Sequence, residues 1–312
     1  MKIFKNINIT NNHKRNAIAI GNFDGVHKGH QKIFAHAKRI VSKNKLKLGV
    51  LTFKPLPVMY FNKKINNHKL TSEIQKFELL KKYGVDFTIN IKFNKKFSTI
   101  SAEKFIKNII FKKINPQLIF VSNNFKFGNK RKGDVNLLKM MSKKYAYVLK
   151  KIDPHKQNGK VVSSTKIRKF LQKGNIKQAN KLLSRTWSVE GHVQKGKKIG
   201  RKLGYRTCNI DLKNYILPKL GIYAVKILVK NSKKIFSGVA YIGPRPTFGG
   251  KKILLETYIF GINKNLYKKK IRVYFLKFIR RDRKFINQNE LIKQMNKDVI
   301  FAKKELKTKI VL

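Results

Sequence analysis

The first half of the sequence alternates between short apolar runs and segments with helical spacing. The apolar runs occupy residues 17–20, 48–53, 85–89 and 118–121. Strands and helices that alternate over short connections are typical of a parallel sheet with helices on both faces. Ligands of such sheets bind at the carboxyl ends of the strands. Because the first run ends at Gly21 and the fourth at Ser122, we expect both ends to border one crevice.

Residues 21–30, Gly-Asn-Phe-Asp-Gly-Val-His-Lys-Gly-His, join the first strand to the first helix. The glycines let the backbone pass close to a ligand, and the free N–H groups of a helix start attract phosphate. His27 and His30 are three residues apart and share a face if the turn is helical. Two imidazoles beside an anion site can stabilise a phosphate while charge builds on it. The alternative is a glycine-rich loop with surface histidines.

A run of hydroxyl side chains, Ser163, Ser164 and Thr165, begins a helix that we expect to reach about residue 172. Serine and threonine commonly cap the start of a helix. The same hydroxyls, with Arg168 one turn later, can instead bind phosphate oxygens. This segment alone favours neither role. A second short helix is expected at about residues 175–183.

From Trp187 onwards the pattern changes to strands separated by Gly, Asn and Lys turns. Strand-like runs occupy residues 187–194, 221–229, 235–242, 253–261 and 271–278. This pattern is typical of an all-β module, which we expect to be a small closed barrel. A last helix at about residues 290–305 has one apolar face and should pack onto the barrel. We therefore divide the chain into domains at residues 1–184 and 185–312.

A glycine-rich basic stretch follows the first of these strands. Its glycines, among them Gly200 and Gly204, allow close backbone approach, and its lysines and Arg201 supply charge for a polyphosphate. Thr207 and Asn209 share a face if this part is extended, and their oxygens could complete a Mg²⁺ shell with phosphates and water. A mobile basic hairpin loop is the alternative.

Acidic side chains are scarce, with 14 Asp and Glu against 74 Lys and Arg. Glu256 lies in a strand-like run and could take a proton from an attacking hydroxyl, unless it is an ordinary outward-facing strand residue. The net charge of +60 should speed the capture of anionic substrates. The lysines run from Lys2 to Lys309 without a single basic block, which argues against nucleic acid as the main partner.

The single cysteine, Cys208, cannot form an internal disulfide, which fits a reducing cytosol. The first residues show neither a long apolar core nor a cleavage-site pattern, and no apolar run nears membrane-spanning length. We therefore expect a cytoplasmic protein without a signal peptide or a membrane segment. The sequence leaves its oligomeric state open.

Further motifs accompany these residues. In the first domain they are Thr52-Phe53-x-Pro55-x-Pro57, Phe125-x-Phe127-Gly128 and Arg131-x-Gly133-Asp134. In the second domain they are Gly191-x-Val193, Gly200-Arg201-x-Leu203-Gly204, Gly243-x-Arg245-Pro246-Thr247-Phe248, Leu266-Tyr267 and Phe278-Ile279-Arg280. Together and in this order, the motifs resemble the prokaryotic bifunctional riboflavin kinase/FMN adenylyltransferase (FAD synthetase) family over almost the whole chain.

The resemblance implies two reactions that both attack a phosphorus atom. The barrel would transfer the γ-phosphoryl group of ATP to riboflavin, giving FMN. Glu256 would act as the base, while Thr207 and Asn209 hold Mg²⁺ and nucleotide. The first domain, Rossmann-like in this family, would join FMN to the AMP part of ATP, giving FAD and pyrophosphate.

The resemblance also implies roles for individual residues. His27 and His30 would steady the α-phosphate, and Ser164 and Arg168 would hold the departing phosphates. Nucleotide or phosphate contacts are implied for Gly21, Asn22, Phe23, Asp24, Gly29, Ser163, Ser164, Thr165, Gly200, Arg201 and Gly204. Flavin contacts are implied for Asn124, Arg131 and Arg280.

The sequence departs from the family pattern at a few positions. Arg206 stands where Pro is usual, Ser122 where Gly is usual, Lys166 where Arg is usual, and Tyr241 where Asn is common. None of these changes removes a proposed catalytic group.

Two other functions stay open. One is a nucleotidyltransferase for another phosphate or pantetheine-type acceptor, and the β module counts against it. The other is a basic nucleic-acid-binding protein without turnover.

Overall fold

The chain divides into two units. The computed structural model describes residues 1–196, 200, 203–230, 232, 234–247, 250–262, 264–307 and 311, with the backbone alone at 245–247 and 250–252. The first unit comprises Met1–Asn66 and Glu73–Ser163, and the second comprises Asn67–Ser72 and Ser164–Leu312. Within these described ranges, no helix is both long and apolar enough to cross a bilayer.

The first unit alternates strands and helices, as the sequence predicts. Its elements are β1 (Lys2–Phe4), β2 (Ala17–Ile20), α1 (Lys28–Lys43), β3 (Leu48–Lys54), α2 (Pro57–Phe61), α3 (Glu73–Lys82), β4 (Phe87–Lys92), α4 (Lys95–Ser98), α5 (Ala102–Lys104), β5 (Leu118–Ser122), β6 (Lys126–Phe127), β7 (Gly133–Asp134), α6 (Val135–Ser142), β8 (Val148–Ile152), β9 (Lys156–Gln157) and β10 (Lys160–Val161). Short 3-10 turns lie at Asn11–His13 and Asn129–Arg131.

A parallel sheet in the order β1-β4-β3-β2-β5-β8 forms the centre of this unit. Successive side chains of a strand point to opposite faces. Ile18 and Ile20 of β2 accordingly belong to one hydrophobic core, whereas Ala17 and Ala19 belong to another, which α1 covers. The predicted parallel sheet with helices on both faces is confirmed.

Some local features differ from the prediction. The helical spacing of Phe105, Ile106, Ile109 and Ile110 predicts a helix that begins at Ser101. This helix is α-helical only as far as Lys104, and it continues as a π-helix over Phe105–Ile114. The sequence also predicts a strand at residues 145–152. This strand begins only at Val148, because Ala146 adopts a φ of 50° that no strand residue has. The sequence did not predict β1 or α2, which are too short to show a period.

The second unit is a barrel preceded by two helices. Its elements are α7 (Ser164–Gln172), α8 (Ile176–Leu183), β11 (Ser188–His192), β12 (Thr207–Asp211), β13 (Gly221–Val229), β14 (Ile235–Thr247), β15 (Gly250–Ile259), β16 (Lys270–Arg280) and α9 (Gln288–Glu305). The strands pair antiparallel in the order β11-β16-β13-β14-β15-β12. A bridge between Gln194 and Asn209 joins the two ends, so the barrel is nearly closed, and α9 packs against it.

The hairpin of β14 and β15 extends further than predicted. The strand-like run in the sequence ends at Ile242, and Pro244 and Pro246, which cannot donate to a strand ladder, follow it. Pairing with β13 does end at Ile242, whereas pairing with β15 continues to Thr247. The two prolines therefore lie where β14 has one strand neighbour, which is where a sheet tolerates proline.

Candidate active sites

The turn between β2 and α1 has a strained backbone. Phe23 and Val26 have φ angles of 48° and 38°, which are rare for bulky side chains and rarest for a β-branched one. Both side chains are buried in the hydrophobic core beside α1. Packing of these two side chains therefore holds the strained turn in place, and such strain is common at ligand-binding turns.

His27 and His30 stack their rings at the start of α1. The ring centroids lie 3.7 Å apart, with 19° between the planes. His27 is the N-cap residue of α1, and the first turn contains no acidic side chain. A Cβ atom at Gly29 would lie 3.1 Å from the His27 ring, so glycine makes room for it. The predicted shared face of the two histidines is present, at a helix start that attracts anions.

Strand β3 fixes the backbone of the same turn. The Gly21 N–H donates to the Leu51 carbonyl at 3.1 Å, and the Thr52 hydroxyl donates to the Asn22 carbonyl at 3.1 Å. Asp24 within the turn is buried. The motif residues of the turn therefore share one rigid segment at the carboxyl ends of β2 and β3.

Asn124 and Arg131 lie beyond β5, the parallel neighbour of β2. Asn124 is exposed and accepts a hydrogen bond from the Ser122 hydroxyl at 2.9 Å. Arg131 is exposed at the end of a 3-10 turn. Because β2 and β5 are parallel neighbours, Asn124 follows the same edge of the sheet as the histidine turn, as expected for one crevice.

The run of hydroxyl residues divides between the two units. Ser163 ends the first unit, whereas Ser164 and Thr165 begin α7 in the second. Arg168, one turn later and half-buried, donates from Nε to the His68 carbonyl at 2.8 Å. The proposed contacts of these residues with phosphate stay a prediction.

Strand pairing places Thr207, Asn209 and Glu256 on one face of the barrel sheet. Asn209 lies directly opposite Glu256, and Thr207 lies opposite Tyr258. Directly opposite residues of antiparallel strands point to the same side. Glu256 is 8% exposed, so it is a buried carboxylate and not an ordinary outward-facing strand residue.

A cavity of about 360 Å³ opens between this face and α9. Thr207 and Glu256 line one side of it, and the α9 residues Leu291, Met295 and Val299 line the other. A mostly apolar cavity with a few polar groups suits a small organic molecule. The sequence identified these α9 residues only as a stripe that packs onto the barrel.

Arg280, a predicted flavin contact, also lines this cavity and is bound to Asp298. Its Nε and Nη2 donate to the Asp298 carboxylate at distances between 2.7 and 3.1 Å. Asp298 is 4% exposed. Asp298 gave no signal in the sequence beyond being one of few acids in a lysine-rich helix.

A second cavity, of about 220 Å³, adjoins the same strand. Thr207, Cys208 and Asn209 line it, together with the cations Arg206 and Lys264. These two cations make the cavity suitable for a polyphosphate. Burial raises the pKa of the Cys208 thiol to about 11, so it stays protonated at neutral pH. Thr207 is common to both cavities.

The oxygen donors at Thr207 and Asn209 fit Mg²⁺ when phosphates and water complete its shell, because the ion prefers such hard oxygens. A Cβ atom at Gly200 would lie 2.4 Å from the Tyr205 carbonyl oxygen, so this close approach beside Thr207 requires glycine. Gly204 adopts a φ of 82° that favours glycine. Arg201 lies outside the described residues.

Comparison with known proteins gives matches over nearly the whole chain. Residues 9–166 match the family model described as FAD synthetase, and residues 183–306 match the one described as riboflavin kinase. A bifunctional riboflavin kinase/FMN adenylyltransferase of Buchnera aphidicola subsp. Schizaphis graminum is 41% identical, over 97% of this chain and 98% of its own. The Escherichia coli K12 protein of that name is 32% identical, over 92% and 91%. A solved structure named macrolide-efflux protein, from Streptococcus pneumoniae, has a TM-score of 0.84 at 27% identity and covers 96% of this chain and 98% of its own.

Proposed function

The chain belongs to the bifunctional riboflavin kinase/FMN adenylyltransferase family, and from this membership we propose which residues carry out each reaction. It is an enzyme that phosphorylates riboflavin to FMN with ATP and adenylylates FMN to FAD with release of pyrophosphate. We assign residues 1–184 to the adenylyltransferase and residues 185–312 to the kinase.

In the kinase reaction, riboflavin occupies the larger barrel cavity and ATP the smaller one. The observation that carries this proposal is that Thr207 lines both cavities while Glu256 lines the larger. The Glu256 carboxylate accepts the proton of the attacking riboflavin hydroxyl. That oxygen bonds to the γ-phosphorus of ATP as the bond from this phosphorus to ADP breaks.

Thr207 and Asn209 hold the nucleotide and its Mg²⁺ at the border of the two cavities. Bound Mg²⁺ would neutralise charge on the phosphate oxygens. Gly200, Arg201 and Gly204 belong to the loop that approaches the phosphates. Arg280 contacts the flavin from the opposite wall of the larger cavity, where Asp298 fixes its orientation.

In the adenylyltransferase reaction, a phosphate oxygen of FMN bonds to the α-phosphorus of ATP as the bond to pyrophosphate breaks. His27 and His30 stabilise the charge that develops on the α-phosphate. Nucleotide and phosphate are held by Gly21, Asn22, Phe23, Asp24, Gly29, Ser163, Ser164, Thr165 and Arg168. Asn124 and Arg131 contact the flavin. This phosphate is already ionised, so the reaction needs positioning and positive charge more than a base.

We also infer that the enzyme uses the Mg²⁺ complex of ATP and works in the cytoplasm. Thr207 and Asn209 offer the oxygen donors that Mg²⁺ prefers. The single cysteine, Cys208, cannot form a disulfide within the chain, which fits a reducing compartment. The dispersed lysines favour anionic small molecules over a specific nucleic acid.

The test assigns each reaction to its residues. In one assay, purified protein is incubated with riboflavin, ATP and Mg²⁺, and the total of FMN plus FAD is quantified by chromatography. In a second assay, FMN replaces riboflavin as the substrate, and the FAD formed is quantified. Glu256→Gln should lower FMN formation about 10²- to 10⁴-fold, the usual contribution of a general base, and leave FAD formation from FMN unchanged.

His30→Ala should do the reverse, stopping FAD formation while FMN accumulates. Equal loss of both activities in either variant would contradict separate sites. FMN formation that is unchanged in Glu256→Gln would exclude this residue as the base.

A further inference from the structure

Six residues from the first half of the sequence, Asn67–Ser72, pack with the second unit, and we call them the inserted segment. The N–H groups of His68 and Lys69 donate to the Asn214 carbonyl at 2.8 and 2.7 Å. The Ile216 N–H in turn donates to the Lys69 carbonyl at 2.8 Å. The backbone of the inserted segment is therefore fixed to the connection between β12 and β13.

Two buried side chains at the start of the barrel hold the other half of the inserted segment. Trp187 is fully buried, and its Nε1–H donates to the carbonyl of the equally buried Leu70 at 2.9 Å. The Ser72 hydroxyl donates to Oε1 of Glu190 at 2.7 Å. A buried hydrogen bond of this kind is costly to remove.

Glu190 is a buried carboxylate shared between the inserted segment and β16. Its Oε2 atom contacts Arg272 at 2.7 Å and Lys270 at 3.1 Å, whereas its Oε1 atom accepts the hydrogen bond from Ser72. Burial acts to raise the pKa of Glu190, but hydrogen bonds from Ser72 and Arg272, then the charge of Arg272, outweigh it and lower the pKa. A buried ionic cluster of this kind has few alternative geometries, so it holds Ser72 in place.

The inserted segment contacts one of the groups assigned to FAD formation. The Arg168 Nε donates to the His68 carbonyl at 2.8 Å. A guanidinium is planar, so a bond from Nε to a fixed oxygen restricts the direction of its two terminal nitrogens. We propose that the inserted segment positions Arg168 for FAD formation, and that Trp187 and Glu190 of the kinase part anchor the segment. This inference rests on the proposed role of Arg168 in that reaction.

Two variants of the full-length chain test the anchor. Ser72→Ala removes the hydrogen bond to Glu190, and Trp187→Phe removes the one to Leu70 while keeping an aromatic ring. Each should lower kcat for FAD formation from FMN about three- to tenfold, the equivalent of one hydrogen bond, with a smaller change in KM for FMN. FMN formation from riboflavin should stay unchanged. The control is Ser142→Ala, which loses an exposed hydroxyl bond of 2.7 Å to the Lys139 carbonyl and should change neither activity.

The same variants in an Arg168→Lys background separate positioning from general support of the fold. Lysine lacks Nε, so Ser72→Ala and Trp187→Phe should cause no further loss there. Equal fold-losses in both backgrounds, or a parallel loss of kinase activity, would overturn the inference. If Arg168→Lys and Arg168→Ala both left FAD formation at its original rate, the proposed role of Arg168 would itself be wrong.

Discussion

The ion pair between Arg280 and Asp298 offers a test of how the kinase cavity is held together. Strand β16 and helix α9 are joined by two ion pairs of equal closest approach, 2.7 Å: Arg280 with Asp298 and Lys277 with Glu305. The Asp298 and Arg280 side chains are 5% and 20% exposed, against 31% for Glu305 and 49% for Lys277. The two pairs therefore differ mainly in burial and in the number of hydrogen bonds.

Asp298→Asn keeps the shape of the side chain and removes its charge. Loss of one partner of a fully buried pair costs about 3–5 kcal/mol, because the other charge is left uncompensated. Arg280 retains some access to water, so we expect a decrease of about 2–4 kcal/mol in the free energy of unfolding. Glu305→Gln should cost about 0–1 kcal/mol, as is usual for exposed pairs.

Thermal unfolding of the full chain measures the difference. For a unit of this size, the Asp298→Asn change corresponds to a fall in Tm of roughly 5–15 °C, and Glu305→Gln to at most a few degrees. Because Asp298, Met295 and Val299 all line the cavity that we propose for riboflavin, Asp298→Asn should also raise KM for riboflavin while FAD formation from FMN is retained. Equal Tm values for the two variants would refute the argument from burial.

Two further predictions concern the first unit. Burial, then the charges of Lys47 and Lys2, lower the pKa of His13 below 6.5, so the stability that depends on its neutral form should be complete above about pH 6.5 and lost as the pH falls through the lowered pKa. Chemical denaturation between pH 5 and 8 should show this decrease in the free energy of unfolding at low pH. His13→Phe should remove the decrease. In Gly49→Ala, the new Cβ would lie 2.3 Å from the Phe87 ring, so urea unfolding should show a loss of about 1–3 kcal/mol, and an unchanged midpoint would contradict this overpacking.

Local sequence patterns were sufficient to predict the histidine turn. The apolar run before Gly21 and the helical spacing after His30 determine a strand-to-helix turn, and a three-residue interval brings the two imidazoles together. The strain at Phe23 and Val26 could not be predicted in this way, because it depends on their burial against residues that are distant in the sequence. The assignment of roles came from the family resemblance and not from the local pattern.

The inserted segment had no signal in the sequence. Its main contacts are made by backbone carbonyls and N–H groups, which every residue has, and its partners Trp187 and Asn214 are more than a hundred positions away. The same limit applies to β12, for which the sequence leaves both an extended segment and a mobile basic hairpin loop open. Thr207 and Asn209 share a face as expected, but only the long-range pairing with β15 shows that Glu256 lies opposite Asn209.

The register of β12 against β15 therefore decides whether the residues proposed for the kinase reaction lie together. Ile210 is paired with Leu255, and both are fully buried on the face opposite to that of Asn209 and Glu256. A slip by one residue would bring the wrong set of side chains to each face, because side chains alternate along a strand. It would move an isoleucine towards the cavity and an asparagine into the barrel core. The hydrophobic core thus disfavours the slip. The same apolar packing that closes the barrel therefore keeps Glu256, the proposed base, beside Asn209, a proposed nucleotide contact.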